Sequence, residues 1–354
     1  MKSFPEHGPA EKKLSRTIAA LVVPAAVSTL LIWLLMRGLS WQRLLGSVLS
    51  ASPVGLAIYA LIGLGGLWLR AIRFRILLPE PRPAPGPIFL VTIVQNALGD
   101  LVPGRLASLG SYVWLMKRRL SVTFESAAAT FIASFVLDMV TLGPLLLLAV
   151  AVRFGMATPG GKSQLPLEWT VAFGVVFFAA SAAAAWWLGP LVKTFGRLPR
   201  ALARGRKDGG WARIAAFLDR IAVSMEIVRR GGALVRLLAI SLAIRLVKYA
   251  SLYALTESLL GGAGYAARHP NPWDLVIGVS ATELVASLPI PALGQFGVWE
   301  GGMVGVLVMM GFLREPATLV AFGVHGITTA YEYLLGFLAL GGMLVLLRQR
   351  KGTP

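Results

Sequence analysis

The sequence predicts an all-α integral membrane protein, with about six full spans and two re-entrant helical hairpins that form an inverted repeat. Hydrophobic residues make up 56% of the 354 residues and charged residues only 14%, so too few charges remain to cover a soluble protein of this size. The apolar residues are gathered into runs long enough to cross a bilayer. The net charge of +18 comes from basic residues between these runs, which indicates membrane orientation and anionic lipid rather than nucleic acid as the partner.

The chain begins with a polar segment, residues 1–14, which is predicted to be a cytoplasmic tail. Residues 17–36 form an apolar run of about 20 residues without a small-residue cleavage site, which predicts a retained helix rather than a signal peptide. Residues 15–350 are predicted to form a single transmembrane domain. Its other full spans are predicted at 53–72, 126–152, 169–188, 235–260 and 317–347.

Two further apolar stretches, 88–102 and 275–289, are too short for a clean span and end in breaks rich in Pro and Gly. A second short segment follows each break, at 106–116 and 298–312. Each pair is therefore predicted to be a hairpin that enters the membrane and returns. Broken backbone at that depth is tolerated only where protein or a wet cavity surrounds it.

Positive charge predicts the orientation. Between Lys193 and Arg236 there are eleven basic and three acidic residues, so the loop 193–232 is predicted to be cytoplasmic. Basic residues flank the first hairpin on both sides and are sparse around the second, which predicts entry from inside and from outside, respectively. Both termini then lie in the cytoplasm of a protein of the inner membrane. Helical spacing of Ile214, Phe217 and Ile221 predicts a surface helix at 211–230 that lies in an anionic interface.

This layout contains an internal repeat. Residues about 53–152 and about 235–347 each contain a span, a hairpin and a span, and the second copy is inverted. Pro103 and Pro291 fall at corresponding breaks. Inverted repeats with broken helices near the midplane are typical of transporters.

The composition excludes several kinds of chemistry. Without Cys there are no disulfides or thiolate sites, and the three His residues lie far apart, so no metal and no cofactor is predicted. A Gly-x-x-x-x-Gly-Lys-Ser/Thr loop for nucleotide phosphates does not occur. Any transport would therefore be unpowered or coupled to an ion.

Ionisable side chains inside predicted spans are costly and mark candidate functional positions. Asp138 lies in the middle of its span, either as a proton or counter-ion site or as an acid paired with an Arg on a neighbouring helix. Arg245 and Lys248 share a helix face that could hold a phosphate, with snorkelling to the inner surface as the alternative. Snorkelling is the expectation for Arg70, Arg73 and Arg75 at the end of their span.

The hairpin breaks are rich in residues that suit a polar path. Their glycines allow close backbone approach, and their prolines leave carbonyls free. Glu300 begins a new helix, where its charge meets the positive end of the helix dipole, either in the path or at the outer interface. The candidate translocation residues are Asn96, Asp100, Pro103, Arg105, Asp138, Arg245, Lys248, Glu283, Pro289, Pro291, Gly294, Gln295, Gly297 and Glu300.

The stretch from Pro289 to Gly301 resembles the Pro…Gly-x-x-Gly-Val-x-Glu signature of the transmembrane, flippase-like domain of lysylphosphatidylglycerol synthases. Residues 96–105, residues 120–127 and Asp138 are similar to the first-half pattern of that family, and the resemblance covers roughly residues 15–347. This chain has Ser108 and Ser111 where many members have an acid and an Arg, and Phe135 replaces a frequent Arg. Any contacts that those groups make with a lipid head group in other members are therefore not expected in this chain.

The resemblance implies a membrane domain that handles lipids. The synthases carry a soluble domain after the membrane part that uses aminoacyl-tRNA; because this chain ends at Pro354, it is expected to be a stand-alone member and not an enzyme. The leading interpretation is a flippase for an amphipathic, anionic lipid or glycolipid, with Asp138 and Glu300 as proton-coupling candidates. The alternatives are a non-catalytic partner in envelope-lipid biosynthesis and a polyprenyl-phosphate-dependent enzyme, although the outer loop 37–52 has no acid. A second copy of the chain and a lipid-biosynthesis enzyme stay open as protein partners.

Overall fold

The computed structural model describes residues 9–37, 39–78, 80–101, 105–155, 197–203, 210–229, 231–262, 271–286, 288 and 290–351, with single residues and short runs between 168 and 195. In this part of the chain all regular structure is helical, which confirms the predicted all-α class. A 3₁₀ turn at Leu293–Gln295 interrupts the last third of the chain. The helices are α1 (Pro9–Leu35), α2 (Trp41–Leu49), α3 (Pro53–Leu77), α4 (Pro85–Leu101), α5 (Arg105–Leu120), α6 (Phe124–Gly155), α7 (Arg197–Ala203), α8 (Gly210–Arg229), α9 (Gly231–Gly262), α10 (Pro272–Ala286), α11 (Val298–Met309) and α12 (Arg314–Lys351).

Most of these helices coincide with predicted segments, with shifted ends. Five predicted spans correspond to α1, α3, α6, α9 and α12, and the four hairpin segments correspond to α4, α5, α10 and α11. The predicted span 169–188 lies largely outside the described residues. The expectation of a loop at 37–52 is wrong, because α2 forms there. Ser40 caps α2 by accepting a hydrogen bond from the Arg43 N–H at 3.3 Å.

In the part of the chain that the structure describes, three helical segments are long and apolar enough to cross a membrane, namely Pro53–Leu77, Phe124–Arg153 and Arg314–Leu344. They belong to α3, α6 and α12. Large apolar side chains on these helices face outward, for example Leu61 at 71% and Phe337 at 77% exposure. Such exposure is unfavourable in water and favourable in lipid, and the chain is accordingly an all-α membrane protein.

The two largest apolar cores of the described residues hold most of the helices together. One forms around α10 and α11 and includes Leu255 and Met303, with parts of α6, α9 and α12. The other forms around α4 and α5 and includes Tyr112 and Met116, with parts of α3, α6 and α12. Each short helix pair therefore lies in a core of its own, while α3, α6 and α12 contribute to both.

The surface helix predicted at 211–230 is present as α8, but part of its apolar face contacts protein. Ile221 is 4% exposed and, with Phe217 and Leu218, packs against α3, α6 and α9. The expectation that this face lies in the lipid interface is wrong for these three residues. Packing against protein removes these apolar side chains from water, as burial in lipid would have done.

Candidate functional site

A cavity of about 350 Å³ is lined by both short helix pairs. This volume is within the range of roughly 300–1,000 Å³ that is usual for small-molecule sites. Asn96 and Ser108 reach the cavity from α4 and α5, and Glu283 reaches it from α10. The rest of the wall comes mainly from α3, α6, α9 and α12, and it is rich in charge. The basic residues of the wall are Arg70, Arg73, Arg245 and Lys248, and the acidic residues are Asp138, Glu283 and Glu332.

Arg73 and Asp138 form an ion pair between α3 and α6. The Arg73 guanidinium donates to both Asp138 carboxylate oxygens, from Nη1 at 2.6 Å and from Nη2 at 3.0 Å. Nη1 also donates to Ser241 Oγ on α9 at 3.0 Å. The Arg73 side chain is 2% exposed, so the expectation that it snorkels is wrong. Pairing with a nearby carboxylate satisfies the guanidinium without a path to the interface, and it favours the structural alternative for Asp138 over a free proton site.

Arg245 connects α9 to α6 and α10. Its Nε and Nη2 donate to the main-chain carbonyl of Asp138 at 3.0 and 2.7 Å, and its Nη1 donates to Glu283 at 3.1 Å. Lys248 donates to the other Glu283 oxygen at 2.5 Å. One carboxylate therefore binds two cations. On the helix face predicted to hold a phosphate, Arg245 is already paired and its side chain is 6% exposed, while Lys248 keeps 35% exposure.

Arg70, one turn before Arg73 on α3, makes a weaker contact. Its Nη1 donates to Asn96 Oδ1 on α4 at 3.1 Å. Next to Asn96, the Gln95 amide donates to Ser108 Oγ and thereby joins α4 to α5 at the cavity. The side chain of Arg70 faces the cavity, which replaces the snorkelling expected for it.

Glu300 is fully buried at the start of α11. One of its oxygens accepts the N–H of Gly297 at 2.6 Å, and the other lies 2.7 Å from Nδ1 of His325 on α12. The His325 ring stacks on Phe296 at 4.4 Å between centroids and also lines the cavity. Glu300 is therefore a buried acid that caps a helix and binds His325.

Two hydroxyl groups in the wall have no partner. Ser134 Oγ on α6 and Thr329 Oγ1 on α12 are buried and make no hydrogen bond to the described residues. Buried polar groups are nearly always satisfied by protein or by a bound molecule. These hydroxyls are available to a ligand or to water in the cavity.

The structure brings together part of the predicted site. Pro103 and Pro289 lie outside the described residues, as do the side chains of Asp100 and Arg105, whose main chain is at the end of α4 and the start of α5. Pro291, Gly294 and Gly297 shape the break before α11 and do not line the cavity. Six predicted residues share its wall: Asn96, Asp138, Arg245, Lys248, Glu283 and Gln295.

Several wall residues escaped the sequence analysis. Gln95 and Ser134 are uncharged, and no rule on intramembrane charge selects them. Arg70 and Arg73 were assigned to the interface because they lie at the end of an apolar run, although α3 continues to Leu77. The signal that could have found them is their spacing, because residues three apart share a helix face.

Among the residues that the structure describes, no group of three or more His, Cys, Asp or Glu side chains could hold a metal ion. A family model described as the lysylphosphatidylglycerol synthase TM region matches residues 21–336. The match covers most of the chain, which therefore belongs to this family. No curated protein matches the chain significantly.

Proposed function

Because the chain is a member of the lysylphosphatidylglycerol synthase TM region family, we propose that it is a lipid flippase that moves an amphipathic, anionic lipid or glycolipid between leaflets. Family membership indicates a lipid-related function in a membrane. The observation that carries the finer proposal is the charged cavity, whose wall is formed by both short helix pairs. Membrane lipids are the proposed substrate and partner.

The physical need for such a cavity is clear. A polar head group must cross about 30 Å of hydrocarbon, where unsatisfied polar groups cost several kcal/mol each. The wall of this cavity offers charged groups, amides and hydroxyls to a head group. The outward apolar side chains of α3 and α12 suit the acyl chains, which stay in lipid.

The lengths of the short helices support the proposed topology of six spans and two re-entrant hairpins. At 1.5 Å per residue, α4 with 17 residues extends about 25 Å and α11 with 12 residues about 18 Å, less than the hydrocarbon thickness. The two helix pairs also lie in separate cores, which is compatible with two copies of one unit. We further propose the inner membrane, with both termini and the loop 193–232 in the cytoplasm.

Transport is favoured over catalysis by the state of the cavity carboxylates. Asp138 is bound by Arg73, and Glu283 by Arg245 and Lys248, so these two acids already neutralise cations. Glu332, the third acid of the wall, is not free either. An enzyme that uses a metal or a general base needs a carboxylate available to it. If movement is coupled to protons, Glu300 with His325 fits that role better than Asp138, because Asp138 is bound to the Arg73 guanidinium and His325 lines the cavity.

The test is lipid movement by the purified full chain in liposomes. Vesicles contain trace phosphatidylglycerol labelled on an acyl chain with a dithionite-quenchable fluorophore, with and without an imposed pH gradient. We expect the protein to give dithionite access to the inner-leaflet label, and Ser134→Phe, which fills the cavity, to reduce the rate at least tenfold. Leu148→Phe, on the exposed face of the same helix, should transport normally. Equal access in protein-free vesicles and proteoliposomes would reject the flippase and leave a non-catalytic partner role.

A further inference from the structure

We propose that Arg70 is the residue of the cavity that binds the phosphate of an anionic lipid head group, and that Asn96 positions its guanidinium. This inference rests on the proposed function, whose substrate contact it names. Arg70 reaches the cavity from α3 and bonds to Asn96 Oδ1 at 3.1 Å.

The first argument is charge. Arg73, Arg245 and Lys248 each lie within 3.1 Å of a carboxylate oxygen. Among the described residues, no carboxylate oxygen lies within 4.0 Å of the Arg70 guanidinium. Asp138 interacts with Arg70 only beyond this distance. An intramembrane cation without an acid in direct contact is costly unless a ligand or water compensates its charge. Arg70 is therefore the basic group of the wall that a bound anion would neutralise.

The second argument is hydrogen-bonding capacity. A guanidinium carries five N–H donors, and the bond to Asn96 uses one of them. The remaining planar fork matches two oxygens of a phosphate, which is why arginine binds phosphate in a bidentate manner. The Asn96 amide fixes the guanidinium from the α4 side without neutralising it.

The third argument is the pair of unpartnered hydroxyls. Ser134 and Thr329 are 3% and 7% exposed, line the same cavity and make no hydrogen bond to the described residues. Hydroxyls can donate to phosphate oxygens or to glycerol oxygens. Their unused capacity is independent of Arg70 and leaves two further hydrogen-bonding groups beside the cavity for a polar ligand.

The same wall argues for an anionic rather than a zwitterionic lipid. A zwitterionic head group brings a cation, yet the carboxylates of Asp138 and Glu283 are already bound by guanidinium or ammonium groups, and Glu332 is not free either. An additional cation would have to displace one of these pairs. A head group with a single negative charge needs only Arg70.

Binding can be measured apart from transport on the detergent-purified full chain by calorimetry. The probes are dihexanoyl phosphatidylglycerol, dihexanoyl phosphatidylcholine and inorganic phosphate. We expect phosphatidylglycerol to bind, phosphatidylcholine to bind at least tenfold more weakly, and Arg70→Gln to lose about ten- to hundredfold in affinity, the value of a charge-assisted hydrogen bond. Arg70→Lys, which keeps the charge without the fork, should fall between. Asn96→Ala should weaken binding less than Arg70→Gln.

The matched control is Arg75→Gln on the same helix, because the Arg75 Nε donates to the Pro83 carbonyl and its side chain does not line the cavity. Its affinity should equal that of the unmodified chain. Melting temperatures of all variants show whether each is folded. If folded Arg70→Gln binds like Arg75→Gln, the inference is overturned; if inorganic phosphate binds as tightly as the lipid, the lipid head group is overturned as ligand. Binding that depends on Arg70 in a protein that moves no lipid would reject the flippase and keep this site.

Discussion

The guanidinium of Arg73 binds both carboxylate oxygens of Asp138, at 2.6 and 3.0 Å, and thereby joins α3 to α6 beside the cavity. The two side chains differ in exposure, at 2% for Arg73 and 28% for Asp138. The Arg73 Nε has no hydrogen-bond partner among the described residues. Asp138 therefore neutralises the positive charge of Arg73, and the Ser241 hydroxyl adds an uncharged hydrogen-bond acceptor.

We expect Asp138→Asn to destabilise the protein. Loss of the carboxylate leaves the buried Arg73 cation uncompensated, which costs about 3 kcal/mol in comparable buried pairs. The measurement is the free energy of unfolding in detergent. Asp219→Asn breaks an exposed pair with Arg200 and is the control, with little change expected.

The double variant Arg73→Met with Asp138→Leu separates an ion-pair effect from a packing effect. Because both charges are removed together, it should recover most of the stability that Asp138→Asn loses. A double variant less stable than Asp138→Asn, or a single variant as stable as the unmodified chain, would contradict a structural role for the pair.

Glu283 binds two cations, and their replacement should have unequal effects. Arg245→Met removes bonds to both Glu283 and the Asp138 carbonyl, whereas Lys248→Met removes only a bond to Glu283 from a side chain that is 35% exposed. We expect Arg245→Met to lower the melting temperature clearly more than Lys248→Met. The reverse order would show that Lys248 is the principal partner of Glu283.

The positions of the helices could be predicted because long apolar runs and Pro/Gly breaks are local signals. The α3 helix was predicted to end at residue 72, yet it continues to Leu77. The local sequence does not reveal that Arg73 has its hydrogen-bond partners on α6 and α9. The α2 helix was missed because nine residues with an exposed apolar stripe do not form a long apolar run. Its Ser47 hydroxyl bonds to the Leu259 carbonyl at 3.0 Å, a contact that the local sequence does not reveal.

The candidate site was only partly predictable for a similar reason. Rules on intramembrane charge selected Asp138, Arg245 and Glu283, which do line the cavity. Those rules do not say which charges neutralise each other, because Asp138 lies 65 residues from Arg73 in the chain. Only the tertiary structure therefore distinguishes the cations that are paired with carboxylates from Arg70.

Gly297 should not tolerate a side chain. Its φ of +89° disfavours L-residues, and an added Cβ would collide with the Leu31 side chain on α1. We expect Gly297→Ala to lose about 1–3 kcal/mol of stability. Gly305→Ala, on the same helix with open space at its Cβ, should be neutral or slightly stabilising. Equal melting temperatures for the two variants would refute the constraint.

The proposed orientation can be tested with single cysteines, because the chain has none of its own. Gly209→Cys, in the basic loop, should react with a membrane-impermeant maleimide only from the cytoplasmic side. Gln42→Cys, at an exposed position of α2, should react only from the opposite side. Labelling of Gly209→Cys in intact cells would overturn the topology and with it the inverted repeat.

Glu300 and His325 provide a test of proton coupling. Glu300→Gln keeps an oxygen that can accept the Gly297 N–H but removes the negative charge beside His325, so the fold should persist while proton coupling is lost. We expect lipid movement by Glu300→Gln to stop responding to a pH gradient across the liposome, and His325→Gln to behave in the same way.

Glu315→Gln, which neutralises a helix-start acid on α12 that does not line the cavity, should keep the response of the unmodified chain. Glu300→Ala additionally loses the cap, so its melting temperature should fall below that of Glu300→Gln. A gradient response that survives in both Glu300→Gln and His325→Gln would exclude this pair as the coupling site and assign proton coupling to another group of the chain, whereas an unmodified chain that does not respond to the gradient would leave unpowered movement as the mechanism.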